Sequence, residues 1–226
     1  MFTIKSLRLQ IFSFVFFMAQ VGFAQVSPPG KVTLVDLDQE TAKKFAVLKV
    51  EGNILPPLAD DFKTAMGQFP AGRRVVLDFQ SPGGMNTEGY KIIETIKEAK
   101  KTLIVDTFVD NGAMCASMCI PLFMQGRKRV AGARSTFMFH GATQWYTNIP
   151  NATQTKEYTD VLIAAGASEK WIQKLWDEGV FSEPVEYWMN GEELLNEASG
   201  VVTELKPKFV KHEPWSAPFD PQIGPH

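Results

Sequence analysis

From Phe45 to Val109 the chain alternates three apolar, β-branched runs with two stretches of helical spacing, and no other feature limits the fold as much. Phe45 to Val50 predicts a strand, ended by Glu51-Gly52-Asn53. Leu58, Phe62, Ala65, Met66 and Phe69 then fall on one face of a helix. Arg73 to Phe79 returns to strand, Tyr90, Ile93 and Ile96 mark a second helical face, and Thr102 to Val109 predicts a third strand. A β-α-β-α-β succession requires crossover connections, so the fold class is α/β with a mainly parallel sheet.

Further along, Gly112 and Ala113 open a predicted helix running to about Gln125. Arg129-Val130 and Thr136 to Phe139 predict two short strands. Thr153 to Asp177 reads as two helices broken at Gly166-Ala167-Ser168, with Ser168 as the N-cap of the second. Lys206 to His226 holds five prolines and predicts an irregular tail.

The N-terminus carries Lys5 and Arg8, the apolar run Ile11 to Met18, and small residues at Gly22 and Ala24. This is the pattern of a secretory signal cleaved near Gln25, with an apolar run short for about 30 Å of hydrocarbon. An uncleaved anchor is the alternative, and no stop-transfer flank supports it. The expected organisation is a signal at 1–24, a leader at 25–44, one domain at 45–205 and a tail at 206–226, in a periplasmic or secreted protein without a stable membrane anchor after cleavage. Cleavage leaves about 202 residues, enough for one domain with a sizeable core. Removing Lys5 and Arg8 from 23 basic residues, against 25 acidic ones, takes the net charge from −2 to −4, which argues against a nucleic-acid partner. Arg127-Lys128-Arg129 reads as a solvated turn.

Cys115 and Cys119 are the only cysteines. On a helix four residues span about 6 Å, within disulfide range, and an exported chain favours pairing. Two small buried thiols are the competing reading. Metal binding ranks third, because the only histidines are His140, His212 and His226 and no ligand cluster surrounds the pair.

Three segments carry chemistry. Ser81-Pro82-Gly83-Gly84 follows a strand and precedes a helix, so its N–H groups, Gly84 above all, are placed to bind an oxyanion. Taken alone it is an ordinary turn. Ser117 lies 33 residues beyond Gly84 among Ala113, Ala116 and both cysteines, and the Met118 amide beside it is a second donor if the loops converge. His140 ends the strand Thr136 to Phe139, 23 residues after Ser117, and is the only histidine between 45 and 205. Each residue has a structural alternative: an N-cap or packing serine, and a hydrogen-bonded structural histidine. Their conjunction points to acyl transfer.

On these segments the chain, over about Phe45 to Leu205, resembles the Clp protease proteolytic-subunit family of the crotonase-like superfamily, and specifically its exported relatives in Gram-negative bacteria. The resemblance implies stacked β-β-α units forming a superhelix, Ser117 as nucleophile, His140 as base, and an oxyanion hole from the Gly84 and Met118 amides. Where the family has an aspartate before an aromatic-apolar pair and a short helix, this chain has Glu186, followed by Tyr187-Trp188-Met189 and Glu192-Glu193; Glu183 is the nearby rival. A glutamate can orient a histidine. Membrane-associated peptidases of the superfamily use a Ser-Lys pair, which makes Lys156 the alternative base. The implied function is an ATP-independent serine peptidase acting on peptides or proteins, without a cofactor and as a homo-oligomer. No Gly-x-x-x-x-Gly-Lys loop suggests nucleotide use. The rivals are a catalytically silent binding or assembly protein of the same fold and an acyl-CoA-type crotonase enzyme; an exported chain disfavours the second.

Overall fold

Strands β2 (Ala46–Glu51), β3 (Arg74–Gln80) and β4 (Ile104–Val109) lie side by side in parallel because each is returned to the same sheet edge by a helix, α2 (Leu58–Met66) and then α3 (Asn86–Ala99). This is a computed structural model, and it describes residues 27–143 and 149–206. The sheet has six strands in the order β1-β2-β3-β4-β6-β9, adding β1 (Lys31–Leu34), β6 (Arg129–Ala131) and β9 (Glu204–Leu205). All its pairings are parallel except β1 with β2.

Both sheet faces take apolar side chains, which is why the strands read as continuous hydrophobic runs. Val75, Leu77 and Phe79 face the main core with Leu58 and Phe62 of α2 and Ile92 and Ile96 of α3. Val76 points the other way, to a smaller cluster with Phe45, Val47, Phe108 and Val130, covered by Val35 and Leu37. A second sheet, in the order β5-β7-β8, consists of β5 (Met114–Ala116), β7 (Thr136–Phe139) and β8 (Tyr187–Asn190). Its inner face meets α5 (Ala152–Ala164) and α6 (Glu169–Asp177), with Phe139 edge-on to Trp171 at 5.2 Å between ring centres. Ser168 caps α6 by accepting from the Trp171 N–H.

The structure departs from the sequence expectations in four places. The segment 25–44, expected as a leader, supplies β1 and the short α1 (Gln39–Lys44), which Asp38 caps through the Glu40 and Thr41 N–H groups. The helix expected from Gly112 to Gln125 is instead β5, a turn at Ser117 and the short α4 (Cys119–Phe123). Arg127-Lys128-Arg129 is tied down rather than solvated: Arg127 and Lys128 reach Asp106 and Glu204, and Arg129 donates to several backbone carbonyls. Strand β8 forms where the sequence reading placed only an acid and an aromatic-apolar pair. The signal at 1–24 and all but the first residue of the tail lie outside the described residues.

Two carboxylates on the face bearing the smaller cluster differ in partnership. Asp106 is fully buried and accepts from Arg74 (2.8 Å), Arg127 (3.3 Å) and the Lys128 N–H (3.0 Å). The carboxylate of Asp78, cross-strand from Lys49 and Phe108, has no hydrogen bond among the described residues. Burial pushes it up from 3.8 to about 7; Lys49 and Lys206 work against the rise, and Asp110 and Glu51 add to it. The folded state therefore holds a proton that the unfolded chain has released, and stability is lost as pH rises from about 4 through 7. Asp78→Asn is expected to raise the unfolding free energy at pH 8 by on the order of 1–4 kcal/mol, the gain fading towards pH 4. Urea melts at the two pH values check this, and an equal effect at both contradicts it.

Candidate active site

Ser81 is where the site begins. It is buried at the end of β3, its N–H donates to the Met114 carbonyl (2.8 Å), and its carbonyl accepts from the Ala116 N–H (3.0 Å), so β5 is laid alongside the strand end. Its hydroxyl donates to the Gly52 carbonyl (2.6 Å) and accepts from the Gly83 N–H (3.1 Å), closing the Pro-Gly-Gly turn. Ile54 engages that turn on both sides of Gly84, donating to the Gly83 carbonyl and accepting from the Met85 N–H, each at 2.8 Å. In this parallel pairing the groups of Gly84 itself point away from Ile54.

Both glycines are required. At Gly84 (φ 153°) a Cβ would sit 2.3 Å from the Ile54 carbonyl oxygen. At Gly83 (φ 92°) it would sit 2.7 Å from the Ala116 oxygen, 2.8 Å from the Ser117 Cβ and 3.0 Å from the Met118 nitrogen. The turn and the serine segment thus touch through backbone, which only a missing side chain allows. Among the described residues neither the Gly84 nor the Met118 N–H has a hydrogen-bond acceptor.

Ser117 sits between β5 and α4 with φ 52°, the left-handed region. For a serine this conformation costs on the order of 1–3 kcal/mol and persists only where the surroundings enforce it. Two constraints do so: the Ser117 N–H donates to the Met138 carbonyl of β7 (2.8 Å), and a disulfide joins Cys115 before the turn to Cys119 after it, with Cα atoms 5.2 Å apart. The bridge spans strand to helix rather than one turn of a helix, and both cysteines are fully buried. The sharp turn sets the hydroxyl in a cleft of about 470 Å³ lined by Gly84, Met85, Met138, His140 and Gln154 among others.

His140 follows the last residue of β7, and its Nε2 lies 2.7 Å from the Ser117 Oγ. Burial lowers its pKa from 6.5, while a backbone hydrogen bond at Gly141 and the charge of Glu186 act in the opposite direction. The imidazole is therefore neutral at pH 7, and Nε2 can accept the serine proton. Pairing of Phe139 with Tyr187 and of Met138 with Trp188, continued by one residue, sets Glu186 across from His140. That register accounts for the electrostatic coupling. The Glu186 carboxylate nevertheless accepts from the Trp188 indole N–H (3.1 Å), and among the described residues no hydrogen bond joins it to His140.

Lys156 does not join the site. It projects from α5 into solvent and pairs with Asp160 (2.6 Å), while Gln154 of the same helix lines the cleft. Glu183 is exposed and lies against Gly179. Sequence reasoning missed Ser81, whose hydroxyl organises the turn, and Met138, whose carbonyl holds the serine. For the first the signal was present, a hydroxyl directly before Pro-Gly-Gly; for the second there was none, since a backbone contact leaves no trace in side-chain identity.

No family model matches the chain, and no curated protein does. Among solved structures, an asparagine-to-aspartate mutant of ClpP1 from Listeria monocytogenes is similar, with a TM-score of 0.57 and 18% identity over 74% of this chain and 94% of the other. This establishes a Clp protease-like fold. Among the described residues no helix is long and apolar enough to cross a membrane.

Proton NMR of the His140 ring is expected to show a titration midpoint below 6.5, moving lower still in Glu186→Gln, because removing the acid removes a charge that favours imidazolium. A midpoint above 6.5, or an upward move in the variant, contradicts the site's electrostatics.

Proposed function

We propose that this protein is an exported serine peptidase. The observation that carries the reading is the 2.7 Å contact of Ser117 Oγ with His140 Nε2, in a cleft that Gly84 also lines, with the Met118 nitrogen against Gly83 and neither the Gly84 nor the Met118 amide given an acceptor among the described residues. His140 Nε2 takes the Ser117 proton as Oγ bonds to the carbonyl carbon of a peptide, and the carbonyl oxygen, now anionic, accepts from the two amides. The imidazolium returns the proton to the leaving amine as the C–N bond breaks; water, deprotonated by the same imidazole, then attacks the acyl carbon, and the imidazolium protonates Oγ as its bond to that carbon breaks. Glu186 favours the imidazolium electrostatically from across the sheet.

The signal-like N-terminus and the disulfide support a periplasmic or secreted location. A homo-oligomer within the exported branch of the Clp protease-like proteins is part of the same proposal. One observation favours the rival binding protein: Glu186 is hydrogen-bonded to Trp188 rather than to His140.

A fluorophosphonate is expected to label the wild-type protein once, with Ser117→Ala abolishing the label and His140→Ala slowing it by about 100-fold or more, the scale of a lost general base. Intact mass and peptide mapping read the result. Equal labelling of wild type and Ser117→Ala sinks the assignment, and no labelling of wild type favours the binding protein.

A further inference from the structure

The second sheet turns one face to the core and the other to the cleft. Phe137, Phe139 and Met189 belong to the core, so Met138, and Trp188 opposite it, point outward. The pairing of Ala116 with Met138 and of Met138 with Trp188 forms one row across β5, β7 and β8. Ser117 is the next residue after Ala116, and His140, two beyond Met138, shares its face. Ala116 and Met138 are buried, while Trp188 is 49% exposed. Met138 lines the cleft with Ser117 and His140, and Trp188, its cross-strand neighbour, extends that apolar surface towards the sheet edge; tryptophan is prominent among residues that dominate binding.

We propose that Trp188 is a specificity-determining residue of this site: its indole, continuing the Met138 surface that lines the cleft, forms an apolar shelf that takes an aromatic or aliphatic side chain of the peptide next to the bond facing Ser117. The assignment rests on the peptidase reading. Glu186, two residues before Trp188 on the same strand face, holds the indole N–H at 3.1 Å and so fixes the ring before substrate arrives, which lowers the entropic cost of binding. Its carboxylate at the rim also repels an acidic side chain. Beside Pro82, Met85 and Ala142, the cleft wall offers polar groups, Asn86, Thr87, Asn151 and Gln154, suited to the peptide backbone. Glu186 is therefore a positioning residue for Trp188 as well as a charge facing His140.

The test uses the full chain carrying Ser117→Ala, which binds without turnover, and two fluorescent peptides that differ only in a phenylalanine or an aspartate at one position. Anisotropy is expected to give at least about tenfold tighter binding of the phenylalanine peptide, roughly the contribution of one side chain on an apolar surface. Adding Trp188→Ala brings the ratio to within about twofold, and Trp188→Phe keeps most of it. The proposal is overturned if the ratio survives Trp188→Ala, if that variant weakens both peptides equally, or if neither peptide binds. It is also overturned if Trp188→Ala changes the mass in solution without altering the ratio, which assigns the shelf to a contact between copies of the chain. Failure of wild-type fluorophosphonate labelling removes the peptidase reading alone, because the binding ratio is measured without turnover.

Discussion

The site depends on one short pairing, that of Ser81 with β5. Its two backbone hydrogen bonds fix where the second sheet begins, and its hydroxyl bridges the end of β2 to the Pro-Gly-Gly turn. Gly52, Gly83, Met114 and Ala116 are thereby gathered around a single buried residue. Backbone contact between the glycine turn and the serine segment follows, and both amides with no acceptor among the described residues lie in those segments. Remove the hydroxyl, and the buried Gly83 N–H loses its partner at a cost of about 1–3 kcal/mol, while the half-buried Gly52 carbonyl loses a donor.

The serine is held from three directions. Met138 fixes its amide, the disulfide closes strand onto helix, and Gly83 allows the neighbouring turn to press against it. A left-handed serine is not a conformation that the local sequence would choose, so the surrounding fold supplies the difference. The outcome is a hydroxyl aimed into the cleft at an imidazole that burial keeps neutral. On the opposite strand Glu186 serves two neighbours, acting on His140 by charge and on Trp188 by hydrogen bond.

Much of the fold was legible in the sequence where periodicity is strong. Strands β2 to β4, helices α2 and α3, and the α5–α6 break at Ser168 follow from apolar spacing and a cap. Legibility failed where structure comes from distant pairing. Three-residue β5 exists because Ser81 and β7 flank it, whereas small residues beside Ser117 read locally as helix. Strand β1, with most of its residues exposed, and β8 carry too little pattern to stand out. In the candidate site, Ser117, His140 and Gly84 were nameable because glycine, serine and a lone histidine are chemically distinctive, and Met118 as the amide beside the serine. Lys156, the alternative base, turns to Asp160 and solvent, which its position along the chain does not reveal. The preference of Glu186 for an indole two residues away depends on a strand that the sequence did not announce.

In the proposed chemistry the fold converges two backbone amides, those of Gly84 and Met118, on the hydroxyl that His140 activates. The most direct measurement is a crystal structure of the protein after reaction with a fluorophosphonate. Phosphorus is expected on Ser117 Oγ, with the phosphonyl oxygen about 2.7–3.1 Å from the Gly84 and Met118 nitrogens. A phosphonyl oxygen turned to solvent or to side chains alone, with both amides left unengaged, would contradict it.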